Sequence, residues 1–330
     1  MAETVSVVIP AYNAAQTLPQ TLAALNAAQP PPLEVIVVDD GSTDATMRLA
    51  NDARARVIRL EKNVGAAAAK NRGAQTARGA ILFFTDADIV PPRNAIGLIQ
   101  DALRDAQTDG VVGLLDENIP HANWASQFKN LWMNFTYARF ADAPRIGLFY
   151  TSIAAMRRTK FLELGGFDEN YRGASIAEDT EFGQRAWGRG ARIRLEPPLR
   201  VAHLKRYSVA SVLREDFKRA YALTLMRLRK RGEPFFTSVP LFYQLAVPTI
   251  YLAWLCALAA LLLQNSWLGL GALALFFIFF ALNMSLLQFL ARKRGAGFAL
   301  RAALFLPLDV SIVGLGMLRA AFDFARGVRY

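Results

Sequence analysis

Ile81-Leu82-Phe83-Phe84-Thr85-Asp86-Ala87-Asp88 is an apolar run that ends abruptly in two carboxylates, after which Ile89-Val90-Pro91-Pro92 turns the chain away. Consecutive bulky apolar residues bounded by a turn predict a strand buried on both faces. The same form recurs upstream. Val5-Ser6-Val7-Val8-Ile9-Pro10 runs to Tyr12-Asn13, Glu34-Val35-Ile36-Val37-Val38 runs to Asp39-Asp40, and residues 57–60 form a shorter run. Residues 17–26, 44–52 and 66–77 between them have helical spacing, the second with Ser42 or Thr43 available as a cap. Strands alternating with helices predict an α/β domain with a parallel sheet covered on both faces. In such sheets ligands bind beyond the carboxyl ends of the strands, and the polar residues stand at those ends.

Composition divides the chain. Of its 330 residues 53% are hydrophobic, and from 238 to 330 the only acids are Asp309 and Asp323. The expected organisation is a catalytic domain over 1–211, a basic amphipathic segment over 212–237 and an all-α transmembrane region over 238–330. Residues 241–263 and 267–290 are each long enough to cross about 30 Å of hydrocarbon. Arg229-Lys230-Arg231 precedes the first span and Arg292-Lys293-Arg294 follows the second. The positive-inside rule places both clusters in the cytosol and Gln264-Asn265-Ser266 outside. A third apolar segment, 302–318, is interrupted by Pro307 and Asp309. Crossing, dipping in and lying at the interface all remain open for it, and with them the side of the C-terminus. Residues 1–5 do not have the form of a signal peptide, and the single Cys256 excludes an internal disulfide. The expectation is a multi-pass integral protein, as of a bacterial inner membrane, with its catalytic domain in the cytosol.

The net charge of +11 is concentrated, with 13 Lys or Arg against three acids over 189–231. Next to a membrane span, such a stretch points to anionic headgroups or a phosphorylated lipid and not to nucleic acid. Within it, Val212, Leu213, Phe217, Ala220, Leu223, Leu225 and Leu228 alternate with Arg214, Lys218, Arg219 and Arg227. This is the pattern of a helix lying in the headgroup plane, with its apolar face in the acyl boundary. The aromatic-rich stretch 113–154 reads as a core-packing helix in preference to a substrate platform.

Asp86 and Asp88 could hold a hard divalent cation with open positions, although Asp is also common in solvated turns. Asp39 and Asp40 could accept hydrogen bonds from a nucleobase or ribose. Gly165-Gly166-Phe167-Asp168 is a tight turn. Glu178, Asp179 and Glu181 crowd what would be the first turn of a helix, which is ordinary for acids there.

In order along the chain, VSVVIPAYN, VVDDGSTD, NVGAAAAKNRG, ILFFTDAD, GGFDENY and AEDTEF, within residues 5–190, resemble glycosyltransferase family 2. The resemblance implies a GT-A fold, a Rossmann-like nucleotide-sugar-binding sheet flanked by helices. It also implies a nucleotide-sugar donor, inversion at the anomeric carbon and a divalent cation, Mn²⁺ or Mg²⁺. Matched residue by residue, Pro10, Ala11, Tyr12 and Asp39 or Asp40 would meet the nucleoside. Asp86, Ala87 and Asp88 match the metal-diphosphate motif, and Asp179 the catalytic carboxylate, with Glu178 beside it. Where the family has Ala-Arg-Asn, this chain has Lys70-Asn71-Arg72, so Lys70 or Arg72 would carry the charge near the diphosphate. His203 is a candidate metal or diphosphate contact, as late histidines are in several GT-A enzymes. The Gln-x-x-Arg-Trp motif of processive members is missing from residues 213–221, and Gln184-Arg185-Ala186-Trp187 has the wrong spacing. The expected enzyme is therefore non-processive and serves cell-envelope glycan synthesis. Its acceptor would be a polyprenyl phosphate or the sugar hydroxyl of a lipid-linked glycan, reached among membrane lipids. The alternative is a tethered nucleotide-sugar sensor or scaffold that has lost catalysis.

Overall fold

The computed structural model describes residues 3–171 and 177–329; Met1, Ala2 and Tyr330, which close the terminal segments expected above, lie outside the described residues. The first seven elements follow the periodicity: β1 (Val5–Ala11), α1 (Leu18–Asn26), β2 (Glu34–Asp39), α2 (Thr46–Asp52), β3 (Arg56–Arg59), α3 (Ala66–Thr76) and β4 (Ile81–Thr85). Then come β5 (Ile89–Val90), α4 (Ala95–Ala102), β6 (Gly110–Leu115), α5 (Trp124–Ala138), β7 (Ile153–Arg157), α6 (Arg158–Glu163), α7 (Glu178–Gly188), β8 (Ile193–His203) and α8 (Val209–Arg229).

One mixed sheet runs in the order β3-β2-β1-β4-β7-β6-β8-β5. β1 to β4 pair in parallel, as the alternation predicts. Beyond β4 the all-parallel expectation fails, because β7 pairs antiparallel with both β4 and β6. β7 reads Ile-Ala-Ala-Met-Arg, so its composition says nothing of its direction and pairing alone decides it. Apart from Pro10 and Val35, the apolar residues of β1, β2 and β4 are buried. Phe84, Phe161, Phe167 and Phe182 pack ring to ring with centroids 5.0–5.3 Å apart. This cluster ties the start of α7 to the tip of β4, which brings Asp179 and the Asp86-Ala87-Asp88 tip to the same end of the sheet.

Four helices follow: α9 (Leu241–Leu263), α10 (Ser266–Leu282), α11 (Met284–Arg294) and α12 (Ala296–Ala325). α9 and α12 are long and apolar enough to cross a membrane, and α10 with α11 would make one further span bent by 55°. The segment expected to be continuous over 267–290 is thus two helices. The break falls at fully buried Asn283, whose side chain donates to the Phe279 carbonyl at 2.9 Å. The third apolar segment, 302–318, lies inside α12, which continues through Pro307.

α5 packs as a core helix, and Trp124 and Phe128 on it meet Phe305 of α12 edge to face. α12 also runs closely along α8. A Cβ at Gly316 would stand 2.5 Å from the Phe217 carbonyl oxygen, so only glycine permits this approach. Part of the apolar side of α8 is therefore covered by α12 where the pattern alone suggested lipid.

Candidate active site

The tips of β1 and β2 are knitted together. The Asn13 carboxamide oxygen accepts from the Thr43 amide at 2.9 Å, and the Asn13 amide donates to Ser42 Oγ at 2.9 Å. The turn after β2 depends on Gly41, whose φ is +74° and whose absent Cβ would lie 2.8 Å from the Lys62 backbone. Pro10 and Ala11 end β1, and Tyr12 just beyond is 51% exposed, with its ring free to stack.

The two carboxylates after β2 have different duties. Asp40 accepts from the Val64 and Gly65 amides, one with each oxygen, at 2.8 and 2.9 Å. It holds the loop that starts α3. Asp39 accepts from the Ser42 amide through Oδ1, while its buried Oδ2 meets no hydrogen-bond donor among the described residues. Arg59 Nε stands 3.9 Å from that oxygen, near enough for attraction but not for a hydrogen bond. A buried acceptor left open costs about 1–3 kcal/mol, which marks Asp39 as the one with capacity for a ligand N–H or O–H.

At the end of β4, Asp86 accepts from Ser152 Oγ at 2.5 Å. Asp88 lies opposite β8, and its Oδ2 is 3.2 Å from His203 Nε2. The β5–β8 ladder, which pairs Ile89 with His203, makes this contact. Burial pushes the Asp86 carboxyl up, Lys70 opposes this and the Asp88 charge adds to it. Asp88 ends below the usual carboxylate range, because the hydrogen bond and charge of His203, with Lys205, outweigh its burial. Among the described residues no three His, Cys, Asp or Glu side chains converge on one point. Asp88 with His203 can supply two donors, and an ion there would need phosphate oxygens and water for the rest. That incomplete set suits Mg²⁺ or Mn²⁺, which are commonly bound through one or two carboxylates plus substrate phosphate.

Lys70 does not reach the surface. It is 2% exposed, and its Nζ donates to Thr151 Oγ1 and stands 3.1 Å from Glu178 Oε1. Burial would lower it, but the attraction of Glu178, Asp86 and Asp179 holds its pKa above the ordinary lysine value. Arg72, two residues on, is exposed on α3. Lys70 is thus committed to Glu178 and Thr151, whereas Arg72 keeps its side chain in solvent. Glu178 is likewise buried against Lys70, which leaves its neighbour as the reactive candidate.

Asp179 is half-buried at the start of α7, and its Oδ1 accepts from the Thr180 amide at 2.6 Å. Burial, with repulsion from Glu178, lifts its pKa to about 6, while Lys70 and Arg219 pull the other way. A carboxylate with that pKa can take a proton near neutral pH. Gln184 and Arg185 further along α7 serve the fold. Gln184 bonds both backbone groups of Phe236, and Arg185 bonds Glu181 and the carbonyls of Leu164 and Gly166.

The amphipathic pattern offered Arg214 and Arg219 alike as acceptor-side cations, and it is Arg219 whose charge acts on Asp179. Arg219, on α8, is attracted to Tyr137, Tyr150, Asp216 and Asp179. Its Nε is buried without a hydrogen-bond partner. Burial alone would lower the Arg219 pKa, and these neighbours raise it. The available signal was the pair of tyrosines within an otherwise apolar aromatic stretch, since a buried Tyr hydroxyl usually needs a partner.

A family profile described as Glycosyl transferase family 2 matches residues 6–165. The chain carries a glycosyl transferase family 2 domain. Glycosyltransferase GlyG of Streptococcus pneumoniae is 33% identical over 118 residues, 34% of this chain and 39% of that protein. Glycosyltransferase AglE of Haloferax volcanii is 30% identical over 156 residues, 44% of this chain and 51% of that protein. The chain thus matches only about half or less of the length of these curated relatives. Among solved structures, mannosyltransferase PcManGT from Pyrobaculum calidifontis, in complex with GDP-Man and Mn²⁺, aligns over 98% of this chain and 88% of its own. The TM-score is 0.62 at 21% identity, a likeness of fold. Glucosyl-3-phosphoglycerate synthase of Mycobacterium tuberculosis aligns over 71% of this chain and 81% of its own, with a TM-score of 0.50 at 18% identity. The mixed sheet with flanking helices is the GT-A architecture, and the family 2 domain carries it into a C-terminal helical region.

Proposed function

We propose that this protein transfers a sugar, with inversion, from a nucleoside-diphosphate donor to a hydroxyl of a lipid-linked acceptor at the membrane surface. The observation that carries this reading is Asp179, a half-buried carboxylate with a pKa of about 6 at the sheet end that also holds Asp88 and His203. The donor's base would stack on Tyr12 and hydrogen-bond Asp39. A divalent cation held by Asp88 and His203 would neutralise the leaving diphosphate. Asp179 would accept the proton of the attacking hydroxyl, a role worth about 10²–10⁴-fold in rate. Lys70 keeps Asp179 and Asp86 from repelling each other beyond use, without itself touching the substrate. Arg219 and the two tyrosines line the acceptor side of Asp179.

α9 and α12 support attachment to a membrane by their length and apolar character. The basic clusters flanking the apolar segments support a catalytic domain on the cytosolic side. Likeness to a mannosyltransferase bound to GDP-Man and Mn²⁺ supports a nucleotide-sugar donor and a divalent ion.

The unpartnered Nε of Arg219 favours a second reading, in which the nucleophile is the lipid phosphate itself. A phosphate is already anionic near neutral pH and needs no base. The test is a donor panel incubated with a membrane lipid extract, with product mass read out, in the parent and in Asp179→Asn. A glycosylated lipid formed by the parent and lost in Asp179→Asn supports the hydroxyl reading. Retained turnover in Asp179→Asn transfers support to the phosphate. No glycosylated lipid from any donor defeats both.

A further inference from the structure

α12 has 30 residues and would extend about 45 Å, more than enough to cross a bilayer. Its contacts, however, hold both of its ends on one side. Just before it, Lys293 pairs with the carboxylate of Glu117, in the loop after β6, at 2.6 Å. Arg294 donates to the Glu117 carbonyl and to Gln127 Oε1 of α5 at 2.6 and 2.9 Å. Near its end, the Asp323 carboxylate accepts from the Tyr221 hydroxyl of α8 at 3.1 Å, and the Arg329 carbonyl accepts from Arg229 at 3.2 Å. Between those ends, Phe305 meets Trp124 and Phe128 of α5, and Gly316 lies against Phe217 and Ala220 of α8. α12 therefore follows the catalytic domain and α8 along its length. α8 exposes Arg214, Lys218 and Arg227, charges too costly to hold in hydrocarbon. α9 meets α12 differently. Tyr243, Tyr251 and Trp254, spread over about three turns of α9, all donate to Asp309 or Ser311 of α12. The two helices thus cross, as a flat helix crosses an upright one.

One face of α12 is used by these contacts, and Phe305, Leu306, Val310 and Ala320 on it are buried. The opposite face carries Leu300, Leu304, Leu308, Leu315, Leu318 and Phe322, all exposed, Leu304 to 75%. At 100° per residue these six fall within an arc of about 80°. Arg301 and Arg319, both exposed, stand at one edge of that arc. A continuous apolar stripe of this length marks an interaction surface. With cations at its edge, it has the form of a helix lying in a membrane interface. What covers the stripe follows from α9. Leu255 and Leu258 of α9 line one open apolar hollow together with Leu304, Leu308 and Leu315 of α12. The lipid-facing side of the span thus runs on into the stripe, and the bilayer that receives α9 begins at α12.

We propose that α12 does not cross the membrane but lies flat in the leaflet interface on the catalytic-domain side. Its leucine stripe enters the acyl boundary, Arg301 and Arg319 meet anionic headgroups, and its other face carries the catalytic domain. The chain then crosses the bilayer twice, through α9 and through α10 with α11, and residue 328 stays on the catalytic side. This rests on reading α9 and α10 as spans. Two measurements on the full-length protein, in a Cys256→Ser background, test it. First, Ser266→Cys and Val328→Cys are treated with impermeant thiol reagents in intact cells and after lysis. The two positions should report opposite sides. Labelling of both in intact cells would show that α12 crosses and overturns the proposal. Labelling of neither until lysis also overturns it, and shows separately that the hairpin does not span. Second, nitroxides are placed singly at Leu300→Cys, Leu308→Cys and Leu318→Cys. The proteins are reconstituted into phosphatidylethanolamine–phosphatidylglycerol vesicles, and depth is read from accessibility to oxygen against a water-soluble nickel complex. A flat helix puts all three at one shallow depth, about 5–10 Å into the boundary. A crossing helix puts at least one of them about 10 Å or more deeper than another, and that result overturns the proposal.

Discussion

Lys70 Nζ stands 3.1 Å from Glu178 Oε1, and both groups are buried. Burial of a lone cation would be prohibitive, so the pair exists as a unit with Asp86 and Asp179 around it. Lys70→Met should therefore cost about 3–5 kcal/mol of stability, since it leaves buried carboxylates uncompensated. Adding Glu178→Leu should recover a large part of the loss. Denaturant unfolding of both variants checks this, and a double variant no better than the single one would refute the pairing argument.

Asp179→Asn should keep nucleotide binding and lose at least about a hundredfold in turnover. The parent's rate should fall on acidification below pH 6, where Asp179 takes up its proton. Stability moves the other way. The folded pKa of about 6 lies above the ordinary value of 3.8, so the native state carries a cost that is absent below the lower value and complete above the higher. Asp179→Asn should accordingly raise the stability at pH 8 by up to about 3 kcal/mol, seen as a higher Tm, and leave it unaltered at pH 3. An unaltered Tm at pH 8 would show that the carboxylate is not strained.

Asp88 and His203 form the only contact proposed here for a divalent ion. EDTA should abolish transfer, and Mn²⁺ or Mg²⁺ should restore it. His203→Ala should raise the ion concentration needed for half-maximal rate by about 10–100-fold. Asp88→Ala should remove transfer with the far-ultraviolet circular dichroism unchanged. Full activity in EDTA would sink the metal assignment.

Asp39 and Asp40 should separate under substitution. Asp39→Asn should weaken UDP or GDP binding about tenfold, with Tm nearly constant, because its Oδ2 has no partner to lose. Asp40→Asn should instead lower Tm, since both of its oxygens hold backbone amides. Calorimetry with the two nucleotides, beside thermal melts, reads both. Reversed effects would exchange the two roles.

The turn between α9 and α10 is closed by Asn265, whose carboxamide oxygen accepts from the Trp267 amide at 2.9 Å. If the flanking basic clusters lie in the cytosol, this turn faces outward. Ser266→Cys, in a Cys256→Ser background, should react with impermeant thiol reagents in intact cells. Labelling only after lysis would reverse the orientation.

Much of the architecture was legible because local pattern and global fold agree over β1 to β4. Apolar strands and amphipathic helices alternate there without interruption, and each strand announces its end with polar residues. Legibility failed where neighbours decide. β7 has no directional mark of its own, and Asn283 breaks an apolar segment that hydropathy reads as continuous.

The candidate site divides along the same line. Sequence by itself determined that Tyr12, Asp39, Asp88 and Asp179 stand at strand and helix ends, because spacing and turn chemistry fix where a run stops. Only the tertiary structure decided which of each acidic pair is committed. Asp40 is taken by the amides of residues 64 and 65 and Glu178 Oε1 by Lys70, while Asp39 keeps an open oxygen and Asp179 stands half-buried with a raised pKa. It decided also that Arg219, one cation among many on a basic helix, turns inward to Tyr137 and Tyr150. Periodicity assigns a residue to a face of its helix, but what that face meets depends on elements packed from distant parts of the chain. Here α5 and α12 supply the partners, and their contacts with α8 are more than 80 residues apart in sequence.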